Sequence, residues 1–259
     1  MTSDLLIDHR GGVTTLTLNR PPLNLLTLPL LREIAAALET LRGREETRVV
    51  VIRGSGTRAF CAGADLKIVG ERDEGSGGAW RAVGRGIVEA IEHFPKPVIS
   101  AVRGWCIGGG TALAWPADIR IAASSAVFRA GDVYLGMSPS WGLGSVRLVH
   151  FLGRNRTLDI ILLGEDVPAA QAYDYGLVTK VVPDDAFDAE VTRIADKLAT
   201  AAPLPVQAIK EMVLAQYWDG PDGAAVIEER WVKIVGASDD AKEGVAAARE
   251  KRRPNFKGR

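Results

Sequence analysis

The chain has 259 residues, 47% hydrophobic and 25% charged, so it is long enough to bury a large core as one domain or one domain with a tail. Lysine plus arginine and aspartate plus glutamate number 32 each, and this balance gives no indication of nucleic-acid or anionic-membrane binding. A small-molecule ligand is therefore favoured. No apolar run reaches the ~20 residues of a membrane span, and the start lacks the features of a signal peptide, so we expect a cytoplasmic protein.

The first half of the chain alternates predicted strands and helices. A helix is predicted to begin after a Thr27 cap, with apolar residues at three- and four-residue spacing, and a second helix is predicted to end at Pro95. Residues 70–78 are rich in glycine and charge, which predicts a mobile loop that forms a lid or pocket wall. The predicted strands are 13–18, 49–52 and 98–102, the second of them covered on both faces.

Beyond Trp141 the pattern becomes helical, interrupted by one predicted strand at 180–182. The sequence thus predicts an α/β body followed by a helical tail, whose apolar faces must pack against the body or another subunit. The predicted helices are 141–152, 154–163, 169–175, 187–200, 204–218, 223–235 and 239–252.

Two glycine-containing turns, at 60–66 and 105–113, each follow an apolar strand-like run. Glycine leaves the backbone bare, so N–H groups from both turns can converge on one ligand oxygen. This arrangement is typical of an oxyanion hole. It is therefore the first candidate for a functional site.

Other kinds of site are disfavoured by their spacing. The chain has neither a phosphate-binding GxxxxGK[ST] loop nor a GxSxG nucleophile elbow, and Gly54-Ser55-Gly56 lacks the third glycine of a dinucleotide motif. We expect no metal site, because the two cysteines lack zinc-ligand spacing and the three histidines lie far apart. These residues are Cys61, Cys106, His9, His93 and His150.

Six segments together resemble one known family. They are 19–21, 59–67, 96–110, 117–123, 176–178 and 250–259. They stand in the order found in the crotonase (enoyl-CoA hydratase/isomerase) superfamily and extend over nearly the whole chain. Each segment alone would be a weak match, but six in order make a chance resemblance improbable.

The resemblance implies an α/β fold of the crotonase (ClpP-like) type, a ββα spiral with a C-terminal helical trimerisation region. The spiral core with the thioester site would occupy residues 1–195 and the helical region residues 196–259. It further implies an enzyme of fatty acid metabolism that binds an acyl-CoA thioester. Such an enzyme needs no cofactor beyond the coenzyme A of its substrate, and it assembles as a homotrimer or a dimer of trimers.

The resemblance also assigns roles to individual residues. The backbone N–H groups of Ala64 and Gly109 match the family's oxyanion donors, and Asp132 occupies the place of one catalytic acid. The Cys61-Ala62 backbone and Asp65 would shape the adenine end of the site, Lys67 would lie near its mouth, and Lys251 would meet a CoA phosphate. The full predicted substrate-binding set is Cys61, Ala62, Asp65, Leu66, Lys67, Gly108, Ser140, Trp141 and Lys251.

The chain departs from the family pattern at its acid positions. Asp132 is one methylene shorter than the glutamate of the family's hydratases, and Ser140 or its neighbours stand where some isomerases and dehalogenases have an aspartate. The first acid of the family's hydratases is replaced here by Ala112, whose methyl group cannot transfer a proton. One carboxylate opposite an oxyanion hole suits a base that moves a proton from one carbon to another, as in a Δ3,Δ2-enoyl-CoA isomerase. The apolar neighbours Phe128, Val133, Tyr134 and Trp141 would raise the pKa of Asp132. A salt bridge to Arg129 would instead give Asp132 a structural role.

Three alternatives stay open at the level of sequence. The same hole would support decarboxylation of a malonyl-type thioester, which requires little from a base. A water held by Ser140 or Thr111 would allow an atypical hydratase, and loss of the first acid would also suit a non-catalytic CoA-thioester-binding protein. The acyl group is undetermined: Trp80, Trp105, Trp115 and Trp141 suit an aromatic or branched chain, or are core residues.

Overall fold

The computed structural model describes residues 3–69, 74–142 and 147–259. Its strands and helices follow one another as in the predicted α/β body and helical tail. In chain order the elements are β1 (Leu5–Arg10), β2 (Val13–Leu18), α1 (Leu28–Gly43), β3 (Val49–Gly54), β4 (Ala59–Cys61), α2 (Leu66–Val69), α3 (Glu74–Glu92), β5 (Val98–Val102), β6 (Trp105–Ile107), α4 (Gly109–Ala114), β7 (Ile119–Ala123), β8 (Val127–Arg129), a 3-10 turn (Asp132–Leu135), α5 (Leu148–Leu163), β9 (Val167–Pro168), α6 (Ala169–Asp174), β10 (Lys180–Val182), α7 (Phe187–Ala199), α8 (Pro203–Trp218), α9 (Gly220–Ala237) and α10 (Asp239–Glu250).

The strands of the described residues form two sheets that the chain visits alternately. The larger sheet has the order β1-β2-β3-β5-β7-β10, and the smaller has the order β4-β6-β8-β9. Each step from β3 to β4, β5 to β6 and β7 to β8 leads from the larger sheet to the smaller one. Successive turns of this spiral pair in parallel, so the segments that follow β4 and β6 become neighbours.

Both faces of the larger sheet are covered, as the continuous apolar run of β3 predicts. Val50 and Ile52 point into the main core, where they pack with the buried faces of α1 and α3. Val49 and Val51 point to the other face and pack with α7. Thr27 caps α1 as predicted, since its side chain accepts a hydrogen bond from the Leu30 N–H.

Some elements differ from the predictions. Helix α3 already begins at Glu74, so the loop prediction is wrong for residues 74–78, while residues 70–73 lie outside the described part. Packing of the later turns of α3 outweighs the low helix propensity of its glycines. The helix predicted over 141–152 is described only from Leu148, because residues 143–146 are not described, and a non-helical Gly153 separates it from the next helix, as predicted. Strand β1 was not predicted, because Leu5 is its only buried residue.

The C-terminal helices follow the predicted order. The proposed division between residues 195 and 196 stays a prediction, and α7 extends continuously from Phe187 to Ala199. Within the described ranges, no helix combines the length and apolar character needed to cross a membrane.

Candidate active site

The first glycine turn is held in place by a single residue from the segment before α1. Leu26 donates its N–H to the Gly63 carbonyl at 2.8 Å and accepts the Asp65 N–H at 3.0 Å. Leu26 and Ala64 are therefore paired as in a parallel ladder, and the N–H of Ala64 points away from Leu26. Within residues 3–69, 74–142 and 147–259 this N–H has no acceptor.

The second turn presents a matching donor. Gly108 has φ +50° and donates its N–H to the Arg129 carbonyl at 2.9 Å. Helix α4 starts at the next residue, so the N–H of Gly109 is one of the first-turn amides that have no intrahelical acceptor. In the described chain no other oxygen accepts it.

The two turns touch each other. A Cβ on Gly63 would lie 3.7 Å from the Gly109 nitrogen and 2.9 Å from the Ile107 carbonyl oxygen. A Cβ on Gly110 would lie 2.1 Å from the Cys61 carbonyl oxygen, so only glycine lets α4 start this close to the end of β4. The two turns that carry the free N–H groups are therefore in direct contact, and the convergence of these groups on one ligand oxygen stays a prediction.

Asp132 lies beside the second glycine turn. It begins the 3-10 turn after β8, and its Oδ1 is 4.0 Å from the position of a Cβ on Gly108. Burial raises the pKa of the Asp132 carboxyl above its ordinary value, and a hydrogen bond from its own backbone N–H offsets part of this rise. The carboxylate is therefore partly desolvated and lies beside Gly108, the residue before the second candidate donor.

The alternative role of Asp132 as a salt-bridge partner of Arg129 is not observed. Arg129 instead binds Asp166 at 2.7 Å and lies over the Trp105 ring. The expected apolar surroundings of Asp132 need a correction, because Val133 and Tyr134 are exposed. Among the neighbours named from the sequence, Phe128 and Trp141 are the buried ones.

Ala112 lies one turn into α4 and is buried in the main core. Its methyl group offers no acid or base. The neighbouring Thr111 is also buried, and its hydroxyl donates to the Gly108 carbonyl at 2.7 Å. That hydroxyl proton is therefore not available for orienting a water molecule.

Comparison with known proteins decides the family. A family model described as enoyl-CoA hydratase/isomerase matches residues 8–259. The chain belongs to the enoyl-CoA hydratase/isomerase family. The 1,2-epoxyphenylacetyl-CoA isomerase of Escherichia coli is 34% identical over 99% of this chain and 99% of its own length. The 2,3-dehydroadipyl-CoA hydratase of the same organism is 34% identical over 99% of this chain and 100% of its own.

Solved structures confirm the crotonase fold. The crystal structure of enoyl-CoA hydratase from Bacillus anthracis matches with a TM-score of 0.95 and 34% identity, covering 99% of this chain and 100% of that one. An enoyl-CoA hydratase/carnithine racemase from Magnetospirillum magneticum matches with a TM-score of 0.91 and 32% identity, over 100% and 97% of the two chains. The predicted spiral with C-terminal helices is thus correct.

The other predicted substrate-binding residues of this family member divide between buried and exposed positions. Cys61 is fully buried, and burial raises the pKa of its thiol to about 12, so only its backbone is available to a ligand. Asp65 accepts a hydrogen bond from the Lys67 N–H at 3.2 Å at the start of α2. Leu66 and Lys67 are exposed beside the first turn, and the position of Lys67 at the mouth of the site stays a prediction.

Ser140, Trp141 and Lys251 occupy three different environments. Ser140 is exposed, whereas Trp141 is buried against Gly109. Lys251 is exposed at the C-terminal end of α10, and no hydrogen bond or ion pair among the described residues links it to the two turns. Its contact with a CoA phosphate stays a prediction.

Two residues of the site were missed by the sequence analysis. Leu26 holds the first turn through backbone hydrogen bonds, and no pattern of side chains in the sequence predicts such bonds. Gly84, on α3, packs against the indole of Trp141. A lone glycine on the buried side of an amphipathic helix was the available indication of close packing there.

Proposed function

We propose that the protein is a Δ3,Δ2-enoyl-CoA isomerase-like enzyme with Asp132 as its acid and base. The observation that carries this proposal is one partly desolvated carboxylate beside the second glycine turn, with an alanine at the place of a second acid. A single carboxylate can take a proton and return it, whereas water addition by two acids requires a second one.

In the proposed reaction, a 3-enoyl-CoA binds with its thioester carbonyl oxygen between the N–H groups of Ala64 and Gly109. Asp132 removes a proton from C2, and the electron pair moves onto the carbonyl oxygen. Each fixed donor stabilises the resulting dienolate by roughly 3–4 kcal/mol at the transition state. Asp132 then returns its proton to C4, the electron pair of the oxygen reforms the carbonyl, and the double bond lies between C2 and C3.

The raised pKa of Asp132 supports this assignment. A base that must later act as an acid works best when its pKa approaches the working pH. Desolvation moves the carboxyl in this direction. The 34% identity to a relative named 1,2-epoxyphenylacetyl-CoA isomerase agrees with an isomerase, while the several relatives named hydratases favour hydration as the second candidate.

Product analysis with Asp132→Asn tests the proposal. We expect the unmodified protein to convert a 3-enoyl-CoA into the 2-enoyl-CoA. The absorbance of the conjugated thioester detects the product, and mass spectrometry after reaction in heavy water detects the proton transfer. Asp132→Asn should lose about 10²–10⁴-fold of this activity and still bind the CoA ester. Full activity of the variant, or 3-hydroxyacyl-CoA as the main product, would exclude the proposed chemistry.

We also propose that the chain assembles as a trimer or a dimer of trimers. Large apolar side chains on the C-terminal helices support this, since they are too numerous to be left in water without cost. The exposed ones on α8 and α9 include Ile209, Val213, Val226 and Val232. Mass measurement in solution tests it, and a monomer at micromolar concentration would refute it.

A further inference from the structure

The indole of Trp141 lies directly beside the second oxyanion donor. Trp141 is only 5% exposed, and its Cη2 and Cζ3 atoms lie 3.3 and 3.5 Å from the position of a Cβ on Gly109. Leu26 Cδ1 lies 2.8 Å from the same position. The side of Gly109 from which a Cβ would project is therefore closed by two apolar side chains.

The opposite side of the indole is seated in α3 at a place that we call the Gly84 notch. A Cβ on Gly84 would lie 2.1 Å from Cε2, 2.4 Å from Cδ2 and 2.5 Å from Nε1 of Trp141. Trp80, one turn earlier on α3, has its ring centroid 5.4 Å from that of Trp141. The indole cannot retreat towards α3, because the backbone of the helix already fills that direction.

The reacting carbons must pass this indole. Asp132 faces Gly108, and Trp141 faces the next residue, Gly109. A thioester whose carbonyl oxygen binds the Gly109 N–H, and whose C2 and C4 are within reach of Asp132, therefore has its acyl chain alongside Trp141. Carbons beyond C4 meet a ring that is fixed on its other side.

We propose that Trp141, fixed in the Gly84 notch, is the end wall of the acyl site and restricts the enzyme to short-chain acyl-CoA thioesters. This inference rests on the proposed function only for the orientation of the acyl group. It differs from the expectation of an aromatic or branched acyl chain, because the indole occupies the space that a bulky acyl group would need.

Binding of saturated thioesters tests the wall without requiring proton transfer. Butanoyl-, hexanoyl- and decanoyl-CoA are titrated calorimetrically into the unmodified protein, Trp141→Ala, Trp141→Phe and the control Trp231→Ala. Trp231 is as buried as Trp141, at 6% exposed, but lies on α9. A folded state of each variant is verified by circular dichroism.

The unmodified protein and Trp231→Ala should bind decanoyl-CoA no more tightly than butanoyl-CoA. Trp141→Ala should gain up to about fourfold in affinity for each methylene that the opened space buries, and Trp141→Phe should gain less. Trp141→Phe alone decides the matter if Trp141→Ala does not fold. The proposal would be overturned if affinity already rises with acyl-chain length in the unmodified protein. It would also be overturned if the dependence of affinity on chain length is unchanged in the Trp141 variants.

Failure of this inference is separable from failure of the proposed function. If Asp132 is not the base, Asp132→Asn keeps its turnover while the chain-length profile of binding still depends on Trp141. If Trp141 is not the wall, the binding profile is flat across the variants while short 3-enoyl-CoA esters are still isomerised.

Discussion

Replacing Gly84 by alanine should destabilise the protein, although alanine is the better helix former. Gly84 is buried in α3, and its new Cβ would lie 2.1 Å from Cε2 of Trp141. The indole has little room to move away, since Trp141 is only 5% exposed. The substitution therefore forces two packed elements apart.

The size of the effect follows from two opposing contributions. Glycine to alanine inside a helix gains about 1 kcal/mol, and overpacking of a well-filled core costs about 1–3 kcal/mol. Gly86, on the same helix, is exposed, and a Cβ there would meet nothing within 4 Å. Gly86→Ala keeps the gain without the cost, so the free energies of unfolding of the two variants should differ by about 1–3 kcal/mol.

Denaturant unfolding at one fixed protein concentration measures both variants. In a Trp141→Ala background the overlap is absent, and Gly84→Ala should then stabilise the chain as much as Gly86→Ala does. Equal stabilisation by the two alanines in the unmodified chain would show that the indole is not seated against α3. It would also remove the basis for Trp141 as a wall.

Three further predictions concern charge and burial. Asp132 must be ionised to act as a base, so kcat/KM should fall as the pH drops through its raised pKa, at a higher pH than for an ordinary aspartate. A kcat/KM that does not change at acid pH would contradict this role. Arg147→Met should lower the free energy of unfolding in urea by about 3–5 kcal/mol, because it leaves the buried Glu92 without its arginine partner and with only His93 at 3.6 Å. The double change Glu92→Leu with Arg147→Met should cost less than the single one, and a cost of the single change below about 1 kcal/mol, as for an exposed pair, would refute the prediction. Burial raises the pKa of both the Cys61 and the Cys106 thiols, so a thiol reagent at neutral pH should modify them only after denaturation, and rapid labelling of the native protein would contradict their burial.

The sequence predicts the elements whose apolar pattern is long enough to be unambiguous. The continuous apolar run of β3 and the Thr27 cap of α1 are examples, because both features depend only on residues that are adjacent in the chain. It does not predict β4 and β6 as strands. Each has only three residues, and their pairing with each other is what brings the two glycine turns together.

The candidate site was predictable in part. The two turns follow from glycine and the preceding strands, and the place of Asp132 follows from the family resemblance. The contact between Trp141 and Gly84 joins segments far apart in the chain, and so does the buried ion pair of Glu92 with Arg147. Neither partner of such a pair identifies the other without the fold, since many helices contain a glycine or a glutamate.

The backbone origin of the two donors has a consequence for how this scaffold changes over time. Every amino acid except proline carries an N–H, so replacement of the side chain at Ala64 leaves the donor in place as long as the turn keeps its shape. In the proposed mechanism, by contrast, the groups that select the reaction are ordinary side chains at 112 and 132. Mutation at these positions can therefore change the reaction, while the two backbone N–H donors are retained.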